Sequence, residues 1–212
     1  MVADRRLVIA TNNPGKLREF QALLGDCGFE LVTPRDLGVP FEVEETGLTF
    51  EENARLKAEA AAQLTGLPAL ADDSGLEVDA LDGRPGVLSA RYAGRGRTDP
   101  NIPEARQLEL LLGELQGVPD ERRTARFRCV IAIAVPGGGT RTVDGVFEGH
   151  IGHAPRGANG FGYDPIFVVP GYGGRTSAEL PPDEKNRISH RGAAAAKARK
   201  ILQEMARDDA AP

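Results

Sequence analysis

Hydrophobic and polar positions along this chain follow a pattern that predicts strands interleaved with helices. Short apolar runs predict strands over 7–10, 29–33, 68–71, 126–135, 142–149 and 165–169. Apolar residues spaced by three and four predict helices over 16–25, 49–65, 103–116 and 190–207. Because helices alternate with strands in the first half and strands dominate the middle, we expect an α/β fold with a mixed sheet.

Other stretches of the chain predict irregular structure. The segment 84–102, rich in Arg, Gly and Pro, and the loop 170–183 are expected to be connections without regular structure. The end of the chain after Arg207 is acidic and alanine-rich, so we expect 208–212 to be frayed. At 212 residues, the chain suits one large domain or two small lobes.

Composition is that of an ordinary globular protein, with 41% hydrophobic and 27% charged residues. The longest apolar run, 130–135, is too short to span a bilayer and no signal peptide is visible, so we expect no membrane partner. The formal net charge of −5 argues against broad nucleic-acid binding. Cys27 and Cys129 lie in apolar segments without metal-ligand spacing, which predicts buried free thiols and a cytoplasmic location.

The turn after the first predicted strand carries the first candidate chemistry. Its six residues are Thr11, Asn12, Asn13, Pro14, Gly15 and Lys16. Backbone N–H groups and the positive end of a helix dipole meet at such a turn, and Lys16 adds an ammonium, so the pattern predicts a phosphate cradle. It is not a P-loop, because Ala10 and Leu17 replace the glycine and the hydroxyl that this motif requires. An ordinary turn with an exposed lysine is the alternative.

The helix predicted over 49–65 begins with a capping-box pattern at Thr49 and Glu52. Lys57 falls in the middle of the apolar stripe of this helix. Its ammonium either reaches past the apolar face into water or meets an anion at the floor of a cleft. Glu44 and Glu45 precede the helix and are either solvated charges or metal ligands.

Two adjacent carboxylates, Asp72 and Asp73, follow the strand predicted over 68–71 and precede a turn at Ser74 and Gly75. Neighbouring side chains at a strand end point to opposite sides, so the two carboxylates can divide their tasks. One can hold Mg²⁺ or a basic partner while the other activates water, because Mg²⁺ needs only one or two carboxylates besides substrate phosphates. The alternative is a local turn in which an aspartate closes the strand.

Two further segments offer candidate ligand contacts. The glycine-rich run 157–165 carries Phe161, Tyr163 and Asp164, which predicts close approach of a flat ligand and a stacking face. A glycine-rich turn with aromatics in the core is equally compatible.

Before the last helix, Arg191 offers only donors and so favours an acceptor such as a carbonyl. A charged helix start on the surface is the alternative there, and His150 and His153 are interpreted as structural.

Together these motifs resemble those of the inosine triphosphate pyrophosphatase family, over about 7–191. The landmarks are Thr11–Lys16, Glu44–Gly47, Phe50–Lys57, Ala71–Gly75, Ser89–Tyr92, Phe161–Pro165, Lys185 and Ser189–Gly192. Several unrelated motifs in the right order are far more specific than any one of them. Two features depart from the family pattern, because Leu88 stands where an aromatic is common and Arg95 and Arg97 occupy a stretch that is often acidic.

The resemblance implies a two-lobed α/β fold around a long central mixed sheet with flanking helices and an active-site cleft between the lobes. It implies that 1–207 form one nucleotide pyrophosphatase domain and that the protein is a homodimer. The implied reaction is the magnesium-dependent hydrolysis of non-standard purine nucleoside triphosphates to the monophosphate and pyrophosphate.

The resemblance also implies roles for individual residues. Asp73 corresponds to the general base and, with Glu45, to a ligand of Mg²⁺, while Asp72 could share either task. The residues expected to line the substrate site and hold much of the triphosphate are Thr11, Asn12, Asn13, Pro14, Gly15, Lys16, Lys57, Ser74 and Lys185. The residues expected to receive the purine are Phe161, Gly162, Tyr163 and Asp164, with Phe161 stacking on it. His190 and Arg191 are expected to contact its 6-oxo edge.

Three other functions compete with this hypothesis. A pyrophosphatase for pyrimidine or modified-pyrimidine triphosphates would not need the purine-directed segments around Phe161 and His190. A non-catalytic nucleotide sensor would not need a base such as Asp73. A kinase or ATPase is excluded because the chain has no P-loop.

Overall fold

The computed structural model describes residues 5–94 and 102–208. The departures at Arg95 and Arg97 lie outside the described residues. So does the tail that we expect to be frayed, except for Asp208, the last residue of the final helix. Within the described ranges, no helix is both long and apolar enough to cross a membrane.

In the described part of the chain, six strands form one sheet in the order β2-β1-β3-β4-β5-β6. The strands are β1 (Arg6–Ile9), β2 (Glu30–Val32), β3 (Ala69–Val78), β4 (Thr124–Ala134), β5 (Thr140–Ile151) and β6 (Phe167–Val168). Strand β1 pairs in parallel with β2 and β3, whereas β5 and β6 are antiparallel. The predicted α/β fold with a mixed sheet is therefore confirmed.

The described helices begin and end within a few residues of the predicted ones, apart from one that was missed. They are α1 (Pro14–Leu24), α2 (Phe50–Thr65), α3 (Glu104–Glu114), α4 (Pro182–Ile188) and α5 (His190–Asp208). The capping box of α2 is confirmed, because Thr49 Oγ1 accepts from the N–H of Glu52 and the Glu52 side chain accepts from the N–H of Thr49. These bonds satisfy donors that a helix start leaves open.

The chain divides into two compact units. The first takes the chain up to Asp73, Cys129–Gly145 and the part from Arg191 onward, and the second takes Ser74–Arg128 and Val146–His190. Each unit has its own apolar core. The first core includes Leu7, Phe20, Leu70, Ile131 and Leu202, and the second includes Leu76, Leu111, Phe127, Ile166 and Phe167. Both cysteines are buried free thiols, as predicted.

Strand β3 is longer than predicted, and this changes the setting of the two aspartates. The prediction that the strand ends at 71 and turns at Ser74 and Gly75 is wrong, because β3 continues to Val78. The apolar side chains of Leu76 and Val78 are fully buried, so their burial favours extending the strand through the polar residues. Asp72 and Asp73 therefore lie within a central strand rather than at its exit.

The segments predicted to be irregular contain short ordered elements. A 3₁₀ turn spans Gly86–Arg91, and another spans Ser177–Glu179. Helix α4 was missed, and it begins inside the loop predicted over 170–183. Pro182 occupies the first turn of the helix, where no donor is lost and its fixed φ suits the start. The last predicted strand shortens to β6, because Asp164–Ile166 form a 3₁₀ turn.

Candidate active site

In the first unit, charged side chains meet on both sides of β3 at positions 72 and 73. Asp72 is 2% exposed and Asp73 is 7% exposed, so both carboxylates are withdrawn from water. Since adjacent strand residues point to opposite faces, the two aspartates meet different partners. Their different contacts agree with side chains on opposite sides of the strand, and the division of tasks between them stays a prediction.

On one side, Asp72 is contacted by two cations. Its Oδ2 lies 3.0 Å from Lys16 Nζ on α1 and 3.2 Å from Arg191 Nη2 on α5. Burial alone would raise the pKa of Asp72, but Lys16, Arg191 and Lys57 outweigh it and hold that pKa below its usual range. Asp72 is therefore ionised at neutral pH and is an unsuitable proton acceptor there.

On the other side, Asp73 faces helix α2. Its Oδ2 accepts a hydrogen bond of 3.0 Å from Asn53 Nδ2, and its Oδ1 lies 3.6 Å from Lys57 Nζ. Burial raises the pKa of Asp73, and Glu45 adds to this, against the opposing effect of Lys57 and Lys16. An aspartate with a raised pKa binds a proton more readily, which suits a general base.

Lys57 links Asp73 to the segment before α2. Its Nζ donates to Glu45 Oε1 at 2.6 Å, and the lysine side chain is only 12% exposed. Burial would lower the pKa of Lys57, but Asp73 and Glu45 outweigh it and raise that pKa. The interpretation of Lys57 as a side chain reaching past the apolar face into water is wrong, because its ammonium is held between two carboxylates.

Glu45 and Asp73 are the two carboxylates that could hold a magnesium ion. Both carboxylates already share one ammonium, so a cation is accommodated between them. Mg²⁺ takes one or two protein carboxylates and completes its octahedron with water and substrate phosphates. Among the described residues, no group of three or more histidines, cysteines or acids is arranged to hold a metal.

The turn before α1 differs from the expected phosphate cradle in one respect. Asn13 caps the helix, because its Oδ1 accepts from the N–H groups of Gly15 and Lys16. The N–H of Asn13 donates to Thr11 Oγ1, and the amide of Asn12 donates to Phe41 O. The N–H groups of Asn13, Gly15 and Lys16, which we expected to meet an anion, are thus used within the turn, and Lys16 is the cation that the turn presents.

Arg191 is buried more deeply than we expect of a side chain that contacts the edge of a purine. It is 2% exposed, and its Nη1 and Nη2 contact Glu19 and Asp72. The guanidinium carbon lies 5.8 Å from the centre of the Phe20 ring. The alternative of a surface helix start is wrong. Contact with the 6-oxo edge stays a prediction, and it would require these ion pairs to open.

In the second unit, the residues expected to receive the purine surround a buried ion pair. Lys185 Nζ donates to Asp164 Oδ2 at 2.6 Å, and both side chains are at most 5% exposed. Lys185 Nζ also lies 5.2 Å from the centre of the Phe161 ring, and Asp164 accepts from the N–H of Phe161. Lys185 thus contacts two of the residues expected to receive the purine, and its role in holding the triphosphate stays a prediction.

The glycine-rich run 157–165 packs on itself more tightly than we expected. A Cβ at Gly160 would lie 2.1 Å from Asp164 Oδ2, and its φ of +75° favours glycine. The glycine therefore gives room to the Asp164–Lys185 pair. Tyr163 belongs to the core, because it is 4% exposed and its hydroxyl donates to Ser89 O. Phe161, which is half-buried, is the remaining candidate for stacking.

The remaining predicted residues have the following positions. His190 is buried and stacks on Phe127 with ring centres 4.9 Å apart. Ser74 is half-buried within β3, and Gly162 has a φ of +63°. His153 lies on the surface, where its Nε2 contacts Asp120 Oδ1.

Two residues of the first unit were missed by reasoning from the sequence. Asn53 is 1% exposed and contacts Asp73, and Glu19 contacts Arg191. Asn53 had a detectable signal, because it lies one turn before Lys57 on the same face of α2. Glu19 had none, because its partner lies far along the chain.

Comparison with known proteins extends these observations. A sequence model of the Ham1 family matches residues 7–201. The chain is 49% identical over 203 residues to a dITP/XTP pyrophosphatase of Bacillus subtilis strain 168, covering 96% of this chain and 100% of the relative. It is 56% identical over 191 residues to a dITP/XTP pyrophosphatase of Geobacter sulfurreducens, covering 90% and 93%. A solved structure of a HAM1 protein from Coxiella burnetii matches with a TM-score of 0.82 and 47% identity, over 94% of this chain and 98% of that one.

Proposed function

Because this chain belongs to the Ham1 family, we propose that it hydrolyses the non-standard purine nucleoside triphosphates ITP, dITP and XTP to the monophosphate and pyrophosphate. The observation that carries the proposal is the unequal pair on β3. Asp72 is held ionised by two cations, while Asp73 has a raised pKa beside Lys57. Neighbouring carboxylates with separated pKa values are typical of acid–base catalysis.

In the proposed reaction, Asp73 accepts a proton from a water molecule that attacks the α-phosphorus. A new P–O bond forms as the bond from the α-phosphorus to the bridging oxygen breaks, and pyrophosphate carries that oxygen away. Asp73 then returns the proton to solvent. A positioned base of this kind contributes about 10²- to 10⁴-fold to the rate.

The negative charge that develops on the phosphates is met by Lys16 and Lys57. Both ammonium groups contact the β3 aspartates, so they are fixed before the substrate binds. Fixed charges stabilise a transition state better than mobile ones, because they need not reorganise during the reaction. Glu45 and Asp73 would hold Mg²⁺, which when bound neutralises phosphate charge and helps pyrophosphate to leave.

The purine would bind in the second unit against the ring of Phe161, whose N–H donates to Asp164 and whose centre lies 5.2 Å from Lys185 Nζ. The lysine over the ring face fixes its position. We propose that His190 and Arg191 distinguish a 6-oxo purine from adenine once the ion pairs of Arg191 with Glu19 and Asp72 open, since each donor left unpaired by a 6-amino group would cost about 1–3 kcal/mol.

Two wider properties accompany this proposal. We propose a homodimer, which sedimentation equilibrium of the purified protein would test. A cytoplasmic location agrees with the two buried free thiols, because reducing compartments keep thiols unpaired.

The proposal is tested by pyrophosphate release from the triphosphates of inosine, xanthosine, guanosine, adenosine and thymidine, each with and without magnesium. Strong magnesium-dependent release from the first two, with monophosphate as the co-product, is the expected result. Preference for thymidine triphosphate would instead support the pyrimidine alternative. Tight binding without release from any of them would support a sensor.

A further inference from the structure

We propose that Asn53 is a positioning residue that fixes both Asp73 and the segment carrying Glu45. The inference rests on the proposed function for its effect on the reaction rate. Its structural part, that Asn53 holds Asp73 and the segment with Gly47 in place, does not depend on the proposed function. Asn53 is not expected to touch the substrate, so it acts through the two acidic residues that flank the reaction.

The two ends of the Asn53 amide bind different parts of the first unit. Nδ2 donates to Asp73 Oδ2 at 3.0 Å, and Oδ1 accepts from the N–H of Gly47 at 2.8 Å. The side chain is 1% exposed, so water does not compete for either bond. In a buried site, such bonds define one orientation of each partner.

Lys57, one helical turn after Asn53, also contacts both Asp73 and the segment before α2. Residues four apart on a helix lie on the same face, so Asn53 and Lys57 both point toward β3. Asn53 binds one oxygen of Asp73, and Lys57 lies near the other. Each also holds the segment before the helix, Asn53 through Gly47 and Lys57 through Glu45.

Gly47 shows how closely this segment is seated on the helix. A Cβ built at Gly47 would lie 2.6 Å from Asn53 Oδ1 and 2.6 Å from Glu52 Cβ. Both distances are shorter than real carbon contacts, so any larger residue would push the segment away from α2. The position of Glu45, two residues earlier, therefore depends on the contact between Gly47 and Asn53.

The consequence for the reaction is a fixed plane for the Asp73 carboxylate. With Oδ2 bound to the amide, the carboxylate cannot rotate freely, and Oδ1 stays on the side of Lys57 and Glu45. Both acidic residues expected to hold Mg²⁺ are thereby set by a single amide. Groups that orient a metal ligand or a base in this way usually matter about 10- to 100-fold for activity.

The kinetic test compares N53A with Q107A. Gln107 is a matched control, because it is also a buried amide and donates to Ala90 O and Ile102 O in the second unit. We expect N53A to lower kcat for dITP about 10- to 100-fold and to raise the Mg²⁺ concentration that gives half the maximal rate. The KM for dITP should change less than about threefold. Q107A should lower the melting temperature without lowering kcat. If N53A and Q107A have equal kcat values, the positioning role is wrong.

The variant N53D separates the two halves of the amide. Its carboxylate can still accept from the N–H of Gly47, but it cannot donate to Asp73 when ionised. We expect N53D to retain the Gly47 contact and to lose kcat as N53A does. Full activity of N53D would overturn the role of the Asn53–Asp73 bond.

Native-state hydrogen exchange tests, without substrate or metal, whether Asn53 holds the segment with Gly47. The Gly47 N–H should exchange about tenfold faster in N53A than in the wild type, and at the wild-type rate in N53D and Q107A. Equal Gly47 rates in N53A and the wild type would overturn this structural part of the inference. If the wild-type protein releases pyrophosphate from no triphosphate, the proposed function fails, while the exchange rates still decide whether Asn53 holds the segment.

Discussion

The two sides of β3 at positions 72 and 73 differ in how charge is distributed around a buried carboxylate. On the Asp72 side, one carboxylate is contacted by two cations, Lys16 and Arg191. On the Asp73 side, one ammonium, that of Lys57, is shared by two carboxylates. Identical side chains therefore have pKa values displaced in opposite directions.

This contrast teaches that the task of each aspartate is set by its neighbours rather than by its own chemistry. A carboxylate between two cations stabilises the fold but holds protons weakly. A buried carboxylate that shares one cation with another acid accepts protons more readily and, in the proposed function, would help to hold a divalent ion. Substitution of each aspartate by the isosteric asparagine should therefore have opposite consequences for stability and catalysis.

The largest effect is expected from D73N. We expect kcat for dITP to fall about 10²- to 10⁴-fold, because the proposed general base is removed. Nucleotide binding in EDTA should change only a few-fold. The unfolding free energy in EDTA should not fall, because a raised folded-state pKa means that ionised Asp73 does not stabilise the fold at neutral pH. Full turnover by D73N would contradict its assignment as the base.

D72N should instead act on stability. Breaking a buried ion pair by removing one partner costs about 3–5 kcal/mol, since Lys16 and Arg191 keep their charges. Urea unfolding of D72N and D73N in EDTA measures the difference directly. Equal losses in the two variants would remove the distinction between the two sides of β3.

The stability contributed by Asp72 should also depend on pH. The folded-state pKa of Asp72 lies below its unfolded value, so its contribution is fully present above that unfolded value, about 3.9. It is lost as the pH falls through the folded-state pKa. The difference between wild type and D72N should therefore be constant from pH 7 to about 5 and shrink below about 4. A difference that grows on acidification would reverse the sign assigned to Asp72.

How much the sequence predicted depends on the range of the interaction involved. The capping box at Thr49 is local, and it located the start of α2 within a residue. The alternation of strand side chains correctly predicted that Asp72 and Asp73 have different partners, even though the predicted end of β3 was wrong. The strand end was misjudged because polar residues followed by glycine suggest a turn, whereas burial of Leu76 and Val78 extends the strand.

The partners of the site residues were harder to predict than the residues themselves. Glu19 and Arg191 are 172 positions apart, and Asn53 and Asp73 are 20 apart, so no local pattern pairs them. Lys185 was assigned to the triphosphate by resemblance, yet its ion pair with Asp164 emerges only from the fold. Local signals thus identified candidate groups, while tertiary contacts decided which group acts on which.

A smaller effect is expected from E19Q, which weakens one of the two carboxylate contacts of Arg191. Because Asp72 still neutralises the guanidinium, we expect a loss of about 1–2 kcal/mol, less than for D72N. Urea unfolding of E19Q, D72N and the double variant measures the coupling. Strict additivity of the two substitutions would show that Glu19 and Asp72 do not act together on Arg191.

The smallest effect is expected from C129A, which removes the weakest contact on the Asp72 side. The Cys129 Sγ lies 3.8 Å from Asp72 Oδ2, and burial raises the pKa of the thiol, so it stays protonated and can donate only weakly. C27A is the matched control, because Cys27 is also a buried free thiol in the same core. Each variant should lose about 1 kcal/mol of unfolding free energy, differ from the other by less than that, and retain kcat. A loss of several kcal/mol in C129A alone would show that the thiol, and not the two cations alone, holds Asp72 in its ionised state.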